Sequence, residues 1–433
     1  MIRVVQKHDL AGKSELLVRL RERSVAVDAE LMNLVAGIVA AVRKLGDQAL
    51  IEYAARFDGV RMDASELRVP VDTLRRSAEL VDARVVNALR EAIGNVREFH
   101  ERQQEQSWEI SPGEGVWLGQ RITPLESVGL YVPGGTAAYP SSVVMNVVPA
   151  QVAGVERIVI ATPPDTLKQN PAVAAALIEV GATEVYAVGG AQAIAALAFG
   201  TETVPRVDKI TGPGNKYVAA AKKLVFGAVG IDSIAGPTEV VIVADETARA
   251  DFVAADMLAQ AEHAEDASAV LVTTDESLAG EVSREIEAQL KTLSRHLIAS
   301  ESIASFGAIV GVDDLAEACA LVNELAPEHV ELMTKDNDAV AEGIRHAGAI
   351  FFGAYSPEAL GDYFAGPNHV LPTSRTARFS SALGVYDFVK RTSIVGYSPE
   401  AMKEAAGKIA VLAEAEGLQA HARSALIRAS DTD

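Results

Sequence analysis

The sequence predicts an α/β protein: two related Rossmann-like parallel-sheet units, preceded by a helical N-terminal region and followed by a small helical C-terminal domain. Three observations carry that expectation. From about Thr123 short apolar runs alternate with helical patterns, the texture of right-handed crossovers feeding a largely parallel sheet. The alternation passes through two rounds, the second starting near Ile231, although no residue-level repeat links them. On both sides of it, apolar residues recur at helical spacing.

Residues 1–122 read mainly as helices. Ser14–Leu20 is a candidate capped start, Ala29–Leu45 carries apolar residues at helical spacing before Gly46-Asp47, and Arg84–Gln106 has a charged outer face. His8 and His100 are read as surface or packing histidines. Pro112, Gly113, Gly115 and Gly119 make Trp108–Arg121 a hairpin or linker. Residues 123–230 form the first unit. Ser127–Val132 is a buried strand ending in Pro133-Gly134-Gly135, Val155–Ala161 is a strand closed by Pro163-Pro164, and Pro171–Val180 is a helix with proline in its first turn and Gly181 at its end. Thr183–Val188 is the next strand, and Ala191–Phe199, Val207–Ile210 and Tyr217–Val225 continue the alternation. Residues 231–380 form the second unit, with strands at Glu239–Ala244, Ala269–Thr273 and Ile309-Val310 and helices at Ala250–His263 and Leu278–Leu290. Residues 381–433 read as a helical tail, whose Ala/Glu-rich stretch Ser398–Ala429 has Gly417 midway and would pack on a neighbour in an oligomer.

At 433 residues, 49% hydrophobic and 23% charged, the chain has room for two or three globular domains on a prior of roughly 150 residues each. Lys plus Arg (39) against Asp plus Glu (59) give a net charge of −20 at pH 7. That balance disfavours nucleic acid and anionic membrane surfaces as partners. The longest apolar runs, such as Ser142–Val155, are interrupted by Asn146, Pro149 and Gln151 and are too short to span a bilayer. No signal-peptide core follows Met1, so a cytoplasmic location is expected. The single cysteine, Cys319, excludes an internal disulfide framework and any Cys-rich zinc site, and its apolar helical setting reads as packing. A metal would need His, carboxylate or amide ligands.

Titratable residues concentrate between Leu325 and Pro372. Pro327-Glu328-His329, Gly361-Asp362-Tyr363 and Gly366-Pro367-Asn368-His369 fall there, in a chain with only 8 histidines, with prolines and glycines making loops between them. Glu328 and His329 are candidate general bases if burial tunes them, against the plainer reading of a solvated surface pair. Gln260 and His263, three apart at the end of a helix, can grip a metal with partners from elsewhere, Asp362 and His421 being candidates by type. The plainer reading is a solvated helix face. Glycine turns follow several strands: Pro133-Gly134-Gly135, Gly189-Gly190-Ala191-Gln192 and Gly212-Pro213-Gly214-Asn215. They let backbone approach a phosphate, but none is the G-x-G-x-x-G fingerprint.

Taken together and in order, these motifs resemble the histidinol dehydrogenase family. The resemblance rests on Tyr131-Val132-Pro133-Gly134-Gly135, Gly189-Gly190-Ala191-Gln192-Ala193, Lys209–Asn215, Ile231–Glu239, Gln260–His263, Ala326–His329, Gly361–Tyr363, Asn368–Thr373 and Ala415–His421, spread over residues 121–425. It implies oxidation of L-histidinol to L-histidine with two NAD, in the last steps of histidine biosynthesis, by a homodimer with one Zn2+ per subunit. Carried over motif by motif, it implies that Gln260, His263, Asp362 and His421 hold the zinc and that Tyr131, Gln192 and Asn215 line the NAD site. Thr238, His329, Glu416 and the zinc ligands would contact histidinol, with Glu328 and His329 as proton acceptors. Thr238 stands where some relatives have serine and keeps the hydroxyl. The C-terminal tail, with Glu416 and His421, would complete the partner's active site. A member acting on another polar alcohol, such as a sulfo-alcohol, and a non-catalytic metal-binding homologue are the alternatives.

Overall fold

A computed structural model describes residues 2–23, 29–134 and 139–430; Gly135, expected in the first glycine turn, lies outside them. In chain order the strands are β1 (Arg3–Val5), β2 (Trp108–Gly113), β3 (Val116–Pro124), β4 (Ser127–Tyr131), β5 (Arg157–Thr162), β6 (Glu184–Ala187), β7 (Lys209–Thr211), β8 (Gly230–Ile231), β9 (Glu239–Ala244), β10 (Ser268–Thr273), β11 (Ala308–Gly311), β12 (His329–Met333), β13 (Ala349–Phe352) and β14 (Val389–Tyr397).

Two parallel sheets carry the fold, in the orders β6-β5-β4-β7-β8 and β1-β11-β10-β9-β12-β13. Leaving β1 aside, the orders are the same. Each unit's first strand, β4 or β9, is central, with its second and third strands on one side and its fourth and fifth on the other. That is the 3-2-1-4-5 half of a Rossmann sheet, so the two rounds of alternation are two copies of one topology. The strands are near-continuous apolar runs because helices cover both faces: all six residues of β10 and all five of β12 are buried.

The N-terminal helices belong to this frame. Val35, Ile38 and Val42, on one face of Ala29–Leu45, pack against the alanine-rich helix Gly190–Phe199 beside the first sheet. The expected hairpin is present as β2 and β3. Three elements differ from expectation. The first helix, Leu10–Glu22, is capped by Asp9, whose carboxylate accepts from Gly12 N, and not at Ser14. Residues 3–5 form β1, an edge strand on β11, a run too short to announce itself by period. The expected helical tail opens on β14, a nine-residue strand antiparallel to β3, where Thr392, Ile394 and Val395 favour a pleated surface. Beyond it the tail is helical as read, Pro399–Ala415 and Gln419–Ala429, with Gly417 at φ +76° between them. The pair's buried cluster is only Ala410, Ala413 and Ala422, while Ile409, Val411, Leu412, Leu426 and Ile427 face outward. Among the described residues no helix is long and apolar enough to cross a membrane.

Candidate active site between the two sheets

A cavity of about 400 Å3 lies at the carboxyl ends of the first sheet's strands, where the order switches between β4 and β7. Tyr131 ends β4, Pro163 follows β5, Gly190 and Gln192 follow β6 and Asn215 follows β7, so the three residues expected around a dinucleotide share one crevice. The Tyr131 hydroxyl accepts from Gly190 N at 3.0 Å, and burial pushes the phenol up to about 12, so it stays neutral. Asn215 caps the helix Lys216–Val225, its Oδ1 accepting from Tyr217 N at 3.0 Å and Val218 N at 3.2 Å. Gly212 has φ +109°, and a Cβ there would sit 2.2 Å from Tyr131 O, so only glycine lets this loop approach β4. A buried ion pair holds the loop from behind. Lys222 Nζ donates to Gly212 O at 2.5 Å and to Asp232 Oδ1 at 2.7 Å, and Asp232 Oδ2 accepts from Gly212 N at 2.8 Å.

The other side of that loop opens into a second cavity of about 180 Å3, lined by Gly212, Pro213 and Gly214 from the first unit and by Thr238, Glu328 and His329 from the second. His329 is the first residue of β12, and Thr238 and Glu328 immediately precede β9 and β12. The cavity therefore joins the carboxyl edge of one sheet to the amino edge of the other. At the second sheet's own carboxyl edge, Asp245 fills the equivalent switch point by accepting from Thr247 N at 2.9 Å and Lys335 N at 2.7 Å.

Glu328 and His329 are both buried, which removes the solvated-pair reading. Glu328 Oε2 accepts from Thr238 Oγ1 at 2.5 Å and from Glu239 N at 3.1 Å. His329 Nδ1 lies 3.2 Å from Glu239 O; a carbonyl only accepts, which assigns the ring proton to Nδ1. That leaves the Nε2 lone pair free, and Nε2 is buried without a partner. Burial pulls the imidazole down to about 4, against the opposing charge of Asp362. Burial pushes Glu328 up to about 8, only partly offset by the Thr238 hydrogen bond. Neighbouring groups tuned in opposite directions are the signature of an acid–base site.

Behind them Glu358 is buried, with its N–H donated to Glu331 Oε1 at 2.7 Å, and burial and the charge of Asp362 raise its carboxyl well above the usual range. Gln260 lies between Thr238 and Glu358. The single hydroxyl proton of Thr238 is committed to Glu328, so the Gln260 amide N donates to Thr238 Oγ1 at 2.9 Å. Its oxygen then faces Glu358 Oε2 at 2.8 Å, a contact that a protonated Glu358 satisfies although the reverse amide orientation would satisfy an ionised one.

The ligand atoms of His263, Glu358 and Asp362 lie within 4.8 Å of one another, with His263 Nε2 3.9 Å from Asp362 Oδ2. This mixed imidazole and carboxylate set, with the buried Gln260 amide against Glu358, is of a kind that can hold a divalent cation such as zinc. His369 adds its ring, Nδ1 donating to Asp362 O at 3.1 Å. Gln260 is wholly buried, so the solvated-face reading fails, and the helix ends at Ala261, placing His263 in the following turn. Glu416 and His421 are exposed on the C-terminal helical pair, and neither lines the cavity. The Leu325–Pro372 stretch is more regular than its glycines and prolines predict, since it contains β12 and β13. Sequence reasoning missed Glu358, Asp232 and Tyr139 around the cavity. Glu358 follows Ser356-Pro357 at a helix start, but as one of many acids it carried no sign of burial.

Fold and site together define an α/β oxidoreductase of the dinucleotide-binding class. The histidinol dehydrogenase family profile matches residues 21–429. A histidinol dehydrogenase of Geobacillus kaustophilus is 55% identical over 412 residues, covering 95% of this chain and 97% of that one. That of Bacillus subtilis is 53% identical over 397 residues, 91% of this chain and 92% of its own. The crystal structure of histidinol dehydrogenase from Elizabethkingia anophelis superimposes with a TM-score of 0.92 at 36% identity, over 99% of this chain and 98% of that one. The chain belongs to the histidinol dehydrogenase family.

Proposed function

We propose that this chain oxidises L-histidinol to L-histidine through L-histidinal, using two NAD, as a cytoplasmic homodimer in the last steps of histidine biosynthesis. The observation that carries the reading is the buried pair Glu328 and His329, both bonded to the Glu239 backbone, in a cavity walled by Gly212, Pro213 and Gly214, with Asn215 next in the chain lining the crevice of Tyr131 and Gln192. His329, with its proton on Nδ1 and its Nε2 free, removes the hydroxyl proton as hydride passes to NAD. His329 then releases its proton, water adds to the aldehyde carbon with His329 or ionised Glu328 accepting the water's proton, and the hydrate passes a second hydride to the second NAD. Thr238 orients Glu328 throughout. A cysteine thiohemiacetal is not used: Cys319 is buried in the core of the second unit, on the helix Leu315–Leu325.

Gln260, His263 and Asp362 hold one Zn2+ per subunit, with His421 of the partner subunit as fourth ligand, and Glu416 reaches the substrate from the same tail. When bound, the zinc supplies a template that grips the substrate's imidazole and amino nitrogens and retains the aldehyde. The exposed position of both tail residues and the outward apolar face of the tail support this crossing between subunits. The division between the two units, which falls after β8 and not at the expected 230/231 boundary within it, separates the unit that binds the dinucleotide from the unit that handles protons. NADH formation from L-histidinol should disappear on chelation and return with zinc. Oxidation of another amino alcohol or a sulfo-alcohol in place of histidinol would overturn the assignment.

A further inference from the structure

Arg23 stands at the C-terminus of the helix Leu10–Glu22, distant in sequence from every site residue, yet its side chain is only 2% exposed. Nη1 donates to Thr238 O at 2.9 Å and to Asp266 O at 2.6 Å, and Nη2 donates to Glu239 Oε2 at 2.6 Å. The other oxygen of Glu239 accepts from Ser374 N at 2.9 Å. The corner gripped in this way is the one that touches both proton-handling groups. The Thr238 hydroxyl and the Glu239 N–H bind Glu328, and the Glu239 carbonyl binds His329 Nδ1. A buried ion pair is a weak source of stability compared with apolar packing of the same volume. What the guanidinium supplies that apolar packing cannot is a fixed fork on a carbonyl and a carboxylate at once.

We propose that Arg23 is a positioning residue: it locks the Thr238–Glu239 corner and, through it, the orientation of Glu328 and the tautomer of His329. The proposal rests on the reading of those two residues as proton acceptors. Arg23→Gln and Arg23→Ala lower kcat for histidinol roughly 100-fold, the size expected when a reacting group is misplaced by about an ångström, with a smaller change in KM. Arg23→Lys keeps the charge without the fork and falls short of the unsubstituted enzyme. Guanidinium ion restores part of the Arg23→Ala turnover, and urea at the same concentration does not.

Nitrogen-15 spectra of histidine-labelled protein, with the His329 signal assigned by its loss in His329→Asn, give a readout independent of turnover and of metal. Arg23→Gln should convert a single Nδ1–H tautomer of His329 into a mixture. Wild-type turnover and an unchanged tautomer in Arg23→Gln would overturn the proposal. So would a loss in Arg23→Ala that follows the melting temperature and resists guanidinium. If the unsubstituted enzyme makes no NADH from histidinol, the functional reading fails, and the tautomer still decides the role of Arg23.

Discussion

Replacing Lys222 with Met tests how the glycine loop between the two cavities is held. Lys222 and Asp232 are 3% and 5% exposed, so neither exchanges its partner for water. The substitution removes two charge-assisted hydrogen bonds, at 2.5 Å and 2.7 Å, and leaves Asp232 buried with only the Gly212 N–H for company on this loop. Orphaning one half of a buried pair costs about 3–5 kcal/mol. Asp232→Asn added to Lys222→Met removes the stranded charge and keeps an acceptor for Gly212, so the double variant should recover about 2 kcal/mol of that loss. Urea denaturation followed by tryptophan fluorescence measures both. Because Asn215 lines the crevice assigned to NAD while Gly212, Pro213 and Gly214 line the second cavity, KM for NAD and KM for histidinol should both rise in Lys222→Met. A loss under about 1 kcal/mol with an unchanged KM for NAD would refute the reasoning.

Three other outcomes follow from the same geometry. His329→Asn should keep zinc bound and lose about 10²- to 10⁴-fold in kcat, measured by steady-state kinetics beside metal analysis. Cys319→Ala should retain turnover within about twofold of the parent, and a thiol reagent should leave native protein unmodified, since burial raises the Cys319 thiol and its Sγ–H points to Val340 O at 3.4 Å. His100 is fully buried, donates from Nδ1 to Val96 O at 2.7 Å and is held below its ordinary 6.5 by burial. A group whose folded pKa is depressed gives stability that is complete above its unfolded value and is lost as pH falls below it. The melting-temperature difference between the parent and His100→Asn should therefore shift against the parent as pH falls from 7 to 5, whatever the raised carboxyls of Glu328 and Glu358 do to both proteins alike.

The doubled topology was legible because parallel strands covered on both faces leave unbroken apolar runs, as in β5, β9 and β10, punctuated by glycine turns, whereas β12, interrupted by His329 and Glu331, was not legible. Strands whose partners lie far away in sequence were not. β1 has three residues, and β14 draws its stability from nine pairs with β3, a tertiary fact that no local period records. At the site, Tyr131, Gln192 and Asn215 and the pair Glu328 and His329 come together because each follows a strand end or starts a strand. Glu358 and Arg23 were invisible for the opposite reason. Both are charged residues of ordinary surface type, and only the fold shows that their side chains are buried, Arg23 against Glu239 and Glu358 beside His329.

The central claim is a four-electron oxidation at one site, and the stoichiometry of NADH formed to L-histidinol consumed tests it most directly. Two NADH per histidinol, with histidine as product and no free aldehyde captured by semicarbazide, is the predicted result. One NADH per histidinol with aldehyde released, or no NADH from histidinol at all with zinc present, would contradict it.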